Sequence, residues 1–410
     1  MLFGLLVMVG VFTGIRMTSA QKAEPAIVTQ SVLPGDTWAA LALRYGLDAA
    51  TLRDLNPGLN WRREPVIGKA LNLPAEATPR PGQLVRPNDG GLLQTAVVNG
   101  LAPWVLAQLN ELDSPWRPTL YRALYLPGEG EVRDLPGGFS SLEFSASPAV
   151  AGQALGLRGN ILPPAITVAG RLDVLPLVAT VENGRFLALV GAGAFFGAGE
   201  PELMIRVDGV PAWAQPILFT DHEWQYQELT LTGEAAQIDQ AARDEERARL
   251  RELWTTVKSG PLWTGPFALP IQDYLEVSAN YGARRAYNGG PYLTYHEGVD
   301  FSAWAGTPVT APAAGTVVLA ERLYVRGGAV IIDHGLGVYS GYYHLSAVHA
   351  TPGQAVQPGD LLGEVGTTGL STGNHLHWDL LVNGVWVDPV AWQAQGLDCW
   401  ALEGLGRACN

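Results

Sequence analysis

The chain has 410 residues, past the roughly 250–300 at which one hydrophobic core stops growing, so about two to four domains are expected. With 47% hydrophobic residues it is not a disordered chain, and 49 glycines with 29 prolines favour short strands and turns over a helical bundle. A net charge of -13, from 26 basic and 39 acidic side chains, opposes the phosphate attraction that nucleic-acid binding needs, so no nucleic-acid partner is expected.

Leu2 to Ile15 is an unbroken run of apolar or small residues, shorter than the roughly 20 needed to cross a bilayer. Thr18-Ser19-Ala20 supplies small residues before a cut at Gln21. Residues 1–20 read as an export signal. The basic stretch that normally opens such a signal is missing, so a retained anchor is the alternative. No other apolar run reaches spanning length. The rest of the chain is expected outside the cytoplasm, in the periplasm, the cell envelope or the medium.

A β-like run from Ile27 to Leu33 leads into Pro34-Gly35-Asp36-Thr37, a helical pattern from Trp38 to Tyr45, a second from Ala49 to Leu55, the Asn56-Pro57 turn and a closing strand at Ala70 to Pro74. Pro-Gly-Asp-Thr turns the chain and offers an oxygen to cap the first helix, and Asn-Pro ends the second. The same βααβ order recurs 53 or 54 residues later, through Pro87-Asn88-Asp89, Gly100-Leu101, Leu106, Leu109-Asn110 and Ala123 to Pro127. The first copy, 27–76, resembles a LysM module, the small domain that grips N-acetylglucosamine-containing glycans. Asp36, Thr37, Asn56, Pro57 and Leu59 are its candidate glycan contacts. The second, 83–128, has Asn88 and Gly90 where the first has Gly35 and Thr37, so it is expected to be a degenerate copy that packs rather than binds.

Between 139 and 232, strand-like runs (Leu142 to Ser145, Arg185 to Val190, Leu203 to Val207, Trp224 to Leu231) alternate with Gly, Pro and Asn-Gly turns. They suggest an immunoglobulin-like β-sandwich without the cysteine pair of antibody domains, acting as a spacer. Residues 234–256 are charged and free of proline, with Asp239 and Arg243, and Glu245 and Arg249, at helical spacing. An exposed helical linker is expected there.

Four of the seven histidines fall in three short strings of the last third: His296-Glu297-Gly298-Val299-Asp300, Gly341-Tyr342-Tyr343-His344-Leu345 and Asn374-His375-Leu376-His377. Along a strand, residues two or four apart share a face, so His296 and Asp300 can serve one metal ion and His377 can complete the set from a second strand. Two imidazoles and a carboxylate leave a fourth position for water, as in a catalytic zinc site. The helical His-Glu-x-x-His motif is excluded because Asp300 stands where the second histidine belongs. Glu297 is then expected to be a surface residue without a catalytic role, and His344 and His375 are the candidates for proton transfer. His222, His334 and His349 are expected at the surface or in turns.

Residues 259–396 resemble the catalytic domain of lysostaphin- or LytM-type zinc endopeptidases, peptidoglycan hydrolases built on a small, mostly antiparallel β fold. The resemblance rests on His-x-Gly-x-Asp at 296–300, Tyr-x-His-Leu at 342–345 and Ser-Thr-Gly-x-His-Leu-His at 371–377. It implies one zinc ion on His296, Asp300 and His377, with His344 and His375 beside it, and peptidoglycan as partner and substrate. A non-catalytic regulator of another wall hydrolase is the alternative; in this family that role goes with lost metal ligands, and none is lost here. A wall-binding structural protein is a third reading. In the tail, 397–410, Cys399 and Cys409 can close a small loop in an oxidising compartment or remain free thiols.

Overall fold

The structure is a computed structural model, and its described residues are 26–410 except 88–90, 118, 120–121, 163–166, 209–211, 231–239, 255–257 and 259. The apolar segment 1–20, the Asn88-Asp89-Gly90 turn and the start of the charged segment at 234–239 lie outside them. The fold is mainly β.

Strand β1 (Ile27–Ser31) is followed by α1 (Trp38–Tyr45), α2 (Ala49–Leu55) and β2 (Ala70–Pro74), and β2 pairs antiparallel with β1. Thr37 caps α1 by accepting from the Ala40 amide at 3.2 Å, and Asp48 caps α2 by accepting from Thr51 at 2.8 Å. Val32, Leu41, Leu52, Leu71 and Leu73 close a small core. The next stretch repeats this order with β3 (Pro81–Val85), α3 (Gly91–Val98), α4 (Pro103–Leu109) and β4 (Leu124–Glu131).

One asparagine holds each copy together in the same way. The Asn56 amide donates to the Leu52 and Asn72 carbonyls, both at 2.9 Å, and accepts from the Asn72 amide at 2.9 Å. Asn110 donates to the Leu106 and Tyr125 carbonyls, both at 2.9 Å, and accepts from the Tyr125 amide at 2.6 Å. A side-chain amide with two donors and an acceptor thus ties the end of the second helix to the closing strand, filling backbone bonds the helix end would leave open.

The middle of the chain runs through β5 (Phe139–Phe144), β6 (Ala149–Val150), β7 (Ala154–Ile161), β8 (Val168–Leu172), β9 (Leu175–Pro176), β10 (Val178–Glu182), β11 (Arg185–Gly191), β12 (Glu202–Val207), β13 (Trp213–Pro216) and β14 (Phe219–Thr220). Two four-stranded sheets, β10-β11-β7-β5 and β13-β12-β8-β9, share one apolar core. Strand β11 is buried on both faces. Phe186, Ala188 and Val190 point into this core, while Leu187 and Leu189 join a second cluster with Trp263, Leu380, Trp392 and Leu402 of the C-terminal part. The segment is therefore not a free spacer: its sheet continues into the core of the neighbouring domain.

The C-terminal part adds β15 (Tyr226–Leu229), α5 (Gln240–Leu253), β16 (Glu276–Ala279), β17 (Arg284–Tyr287), β18 (Thr294–Tyr295), β19 (Gly298–Ser302), β20 (Pro308–Thr310), β21 (Gly315–Leu323), β22 (Gly327–Gly335), β23 (Val338–Leu345), β24 (Ala347–Val348), β25 (Ala355–Val356), β26 (Leu361–Glu364), β27 (His375–Val382), β28 (Val385–Val387), α6 (Pro389–Gln395) and α7 (Leu397–Gly404). Its main antiparallel sheet has the order β16-β19-β27-β23-β22-β21-β25, with β28 beside β27. The run from Trp224 does not belong to the sandwich, because β15 pairs in parallel with β17 of this domain. Cys399 and Cys409 form a disulfide with Cα atoms 5.3 Å apart. Among the described residues no single helix is long and apolar enough to cross a membrane.

The charged helix is docked, not solvated on all sides. Leu250 and Trp254 are buried against the main sheet, and Trp254 meets Trp386 edge-on at 5.3 Å. Glu246, also buried, accepts from the Val325 amide at 2.6 Å and the Arg326 amide at 3.2 Å. His334 departs from expectation too. It is fully buried, with Nδ1 2.9 Å from the Ala314 carbonyl and Nε2 2.7 Å from the Ser340 hydroxyl, so both ring nitrogens are matched inside the core. His222 and His349 are exposed, as expected.

Candidate active site

Strand pairing brings the sequence strings together. Asp300 on β19 lies directly opposite His377 on β27, and Tyr343 on β23 lies opposite His377 from the other side. His296 sits just before β19. Its Nε2 lies 2.9 Å from His377 Nδ1 and 2.9 Å from Asp300 Oδ1, and His377 Nδ1 lies 2.8 Å from the same carboxylate oxygen. Three donor atoms, two from facing strands and one from the segment just before β19, thus point at one spot, where they can hold a metal ion.

Gly298 permits this convergence: a Cβ there would lie 2.8 Å from His377 Nε2 and 2.3 Å from the Trp378 carbonyl oxygen. The glycine of His-x-Gly-x-Asp is a space requirement of the opposing histidine. Outer partners orient the ligands. The His296 Nδ1–H donates to the Asn280 carbonyl at 3.0 Å, which turns the Nε2 lone pair inward, and Arg285 donates to Asp300 Oδ2 at 3.3 Å, which leaves Oδ1 for the site.

The protonation states suit a cation. Burial lowers the His296 pKa and brings that of His377 down to about 4, so both imidazoles are neutral near pH 7. Burial alone would raise Asp300, but its neighbours His296 and His377 hold its carboxyl well below the usual range. Two neutral imidazoles and an ionised carboxylate are the forms that bind a divalent metal without first losing protons.

His344 and His375 stand next to this cluster, their rings 4.7 Å apart between centroids, and the His344 ring is 6.2 Å from that of His377. Each has Nδ1 against a backbone carbonyl, at 2.7 Å from Thr368 for His344 and 2.8 Å from Gly373 for His375, so Nε2 is the nitrogen left to exchange a proton. His344 takes a left-handed backbone conformation, φ 64°, and its amide donates to the Arg326 carbonyl at 2.9 Å. Burial, then the neighbouring His375 and His377, depress the His344 pKa to about 3.

With this geometry in view, known proteins give a consistent picture. Residues 294–389 match Peptidase family M23, and residues 31–74 match the LysM domain. The chain carries an M23 domain and a LysM domain. The M23 part is 39% identical over 130 residues to the DD-carboxypeptidase/endopeptidase Mpg of Neisseria meningitidis serogroup B, covering 31% of this chain and 29% of that protein. It is 36% identical over 115 residues to the peptidoglycan DD-endopeptidase ShyA of Vibrio cholerae, covering 28% and 27%. The matches thus span less than a third of these relatives' own length. Among solved structures, the antimicrobial peptidase lysostaphin from Staphylococcus simulans is 30% identical over 32% of this chain and 54% of that one, with a TM-score of 0.28.

Glu297 is not a tolerated surface residue; it pairs with Arg247 of α5 at 2.5 Å and with Arg326 at 3.1 Å, so it helps dock the helix beside the metal cluster. Arg285, Glu246 and Arg326 were missed in the sequence. Glu246 had one signal there, helical charge spacing, which reads equally well as a solvated face; Arg285 on β17 and Arg326 before β22 had none.

In the LysM domain the candidate glycan contacts separate into two groups. Asp36 and Thr37 are buried: Asp36 pairs with buried Arg44, and Thr37 donates to Asp134 at 3.2 Å. The loop that carries them is walled in from outside the domain. Gln215 of the sandwich accepts from the Gly35 amide at 2.9 Å and donates to the Pro65 carbonyl at 3.0 Å, and the Asp134 amide donates to the Gly35 carbonyl at 2.8 Å. Asn56 is buried and its amide is used within the fold. Pro57 is exposed and Leu59 half-buried, so of the five only these two present surface.

Proposed function

We propose that the chain is a zinc-dependent endopeptidase that hydrolyses peptide bonds of bacterial peptidoglycan, held on the glycan through its LysM domain. The observation that carries this reading is the convergence of His296 Nε2, Asp300 Oδ1 and His377 Nδ1 at 2.8–2.9 Å beside two further histidines with carbonyl-anchored Nδ1 atoms. Two imidazoles and one carboxylate with an open side form the donor set of a catalytic rather than a structural zinc. When bound, such an ion polarises the scissile carbonyl and acidifies a water.

The chain's own residues then divide the proton traffic. His344 and His375, fixed through Nδ1, present Nε2 to the reacting atoms, one to accept the proton of the attacking water and the other to serve the developing oxyanion or the leaving amine. The names of the relatives favour a cross-link or stem peptide as the substrate. Pro57 and Leu59 are the LysM residues best placed to meet a glycan strand, and tethering there raises the local concentration of substrate. The Cys399–Cys409 disulfide and the apolar run at residues 2–15 support export to the periplasm, cell envelope or medium.

The test is incubation of the zinc-loaded full chain with purified sacculi, followed by mass spectrometry of the soluble products. New peptide amine ends that vanish with a chelator are expected. Intact sacculi in the presence of bound zinc would overturn the proposal.

A further inference from the structure

A cavity of about 170 Å³ opens onto the metal cluster, bounded by His296, His344 and His377 on one side and by α5 and the β17–β18 hairpin on the other. Among the described residues, four arginines (Arg243, Arg247, Arg285, Arg326) line it, against a single carboxylate, Glu297. Glu246 and Asp300 pair with Arg326 and Arg285 from behind this lining, so the wall keeps a small excess of positive charge in a chain whose net charge is -13. Arg243 and Arg247 come from α5 and Arg285 from β17, all N-terminal to the stretch that matches the peptidase family.

The arginines are held in place by the protein. Arg247 and Arg326 are fixed by Glu297, Arg326 also by Glu246 at 3.3 Å, and Arg285 by Gln227 at 3.1 Å and Asp300. Arg243 stacks over Tyr287, 5.1 Å from the ring centroid, and Arg247 lies over Trp386 at 5.6 Å. A guanidinium has five donors in a planar fork, so a group pinned through one edge still offers another, and the partner that matches such a fork is a carboxylate. The cavity has room for one such group and its neighbouring atoms. Charged groups in a walled pocket act on a ligand more strongly than at an open surface.

We propose that this cavity is an anion subsite that holds a carboxylate of the substrate peptide within a residue or two of the scissile bond. It would select carboxylate-bearing wall peptides over neutral glycine bridges. The inference rests on the endopeptidase reading for the identity of the ligand, but the pocket can be tested without turnover.

The zinc-loaded full chain carrying His344→Ala, which retains all three metal ligands, is titrated by calorimetry with a soluble cross-linked stem peptide and with the same peptide whose carboxylates flanking the cross-link are converted to carboxamides. The free acid is expected to bind at least about tenfold more tightly. Adding R243Q should collapse that ratio, and R243K should keep most of it. Equal affinity for the two peptides overturns the subsite, whether or not wild type cuts either one. If the tenfold preference holds while wild type cuts neither peptide nor sacculi, the subsite stands and the endopeptidase reading falls. Comparing acid with amide on one protein does not depend on the arginine variants folding.

Discussion

Two regions carried recognisable motifs, the LysM loop around residues 34–57 and the histidine strings of the M23 domain, and the structure treats them in opposite ways. In the loop, Asp36, Thr37 and Asn56 spend their polar atoms on Arg44, on the cap of α1, on Asp134 and on backbone carbonyls. In the M23 domain, His296, Asp300 and His377 turn lone pairs toward one another beside an open cavity. A motif residue whose hydrogen bonds all close inside the chain builds the fold. One whose donor atoms converge with others on a single point can hold a ligand. Asn110 works as an internal control: it repeats the bonding of Asn56 in the second unit, which marks the asparagine as a clip of the fold.

The largest effect should come from the metal cluster. His296→Ala or His377→Ala should lose bound zinc, measured by elemental analysis of purified protein, together with wall hydrolysis. His344→Ala should keep the metal and lose at least about 100-fold in turnover; a zinc-free His344→Ala protein would move that residue into the ligand set.

A pH effect of about 3 kcal/mol is expected from His334, far from the site. Burial holds its pKa at about 4 in the folded chain, against about 6.5 when unfolded. The unfolded chain therefore takes up a proton that the folded chain refuses, and stability should fall as pH drops from about 6.5 to about 4 and level off below. Thermal unfolding across that range would show the slope, to which buried His344 and His377 also contribute, and His334→Gln should make it shallower.

Two smaller effects, each about 1–3 kcal/mol, sharpen the contrast between fold-building and ligand-facing residues. Asn56→Ala and Asn110→Ala should destabilise by similar amounts in urea. If Asn56→Ala instead kept full stability and lost binding to insoluble wall, Asn56 would return to the glycan contacts. Glu246→Ala leaves the Val325 and Arg326 amides without their acceptor. It should lower stability by a like amount and, because the Arg326 carbonyl accepts from the His344 amide, lower turnover as well.

Much of the metal cluster was legible because its ligands sit on or directly beside strands. A period of two puts His375 and His377 on one face whatever surrounds them, and His296 and Asp300 need only a short extended segment to meet one ion. The βααβ repeat was legible for a similar reason, since caps and turns act within a few residues of themselves. The position of α5 was not. Its charges follow helical spacing equally well in water or against a protein surface, and Glu297, Arg326 and the Val325 amide, supplied by distant connections between strands, decide which face is docked.

What the amino-acid order determined by itself was local: the secondary structure of each unit and the candidate metal donors, set by periodicity and by caps and turns a few residues long. Tertiary structure decided which polar groups remained available. Gln215 closed the LysM loop, β15 left the sandwich for a small sheet with β17 and β18, and α5 brought two arginines to the metal cluster. Availability depends on partners far away in the chain, and burying a polar group is favourable only when those partners arrive.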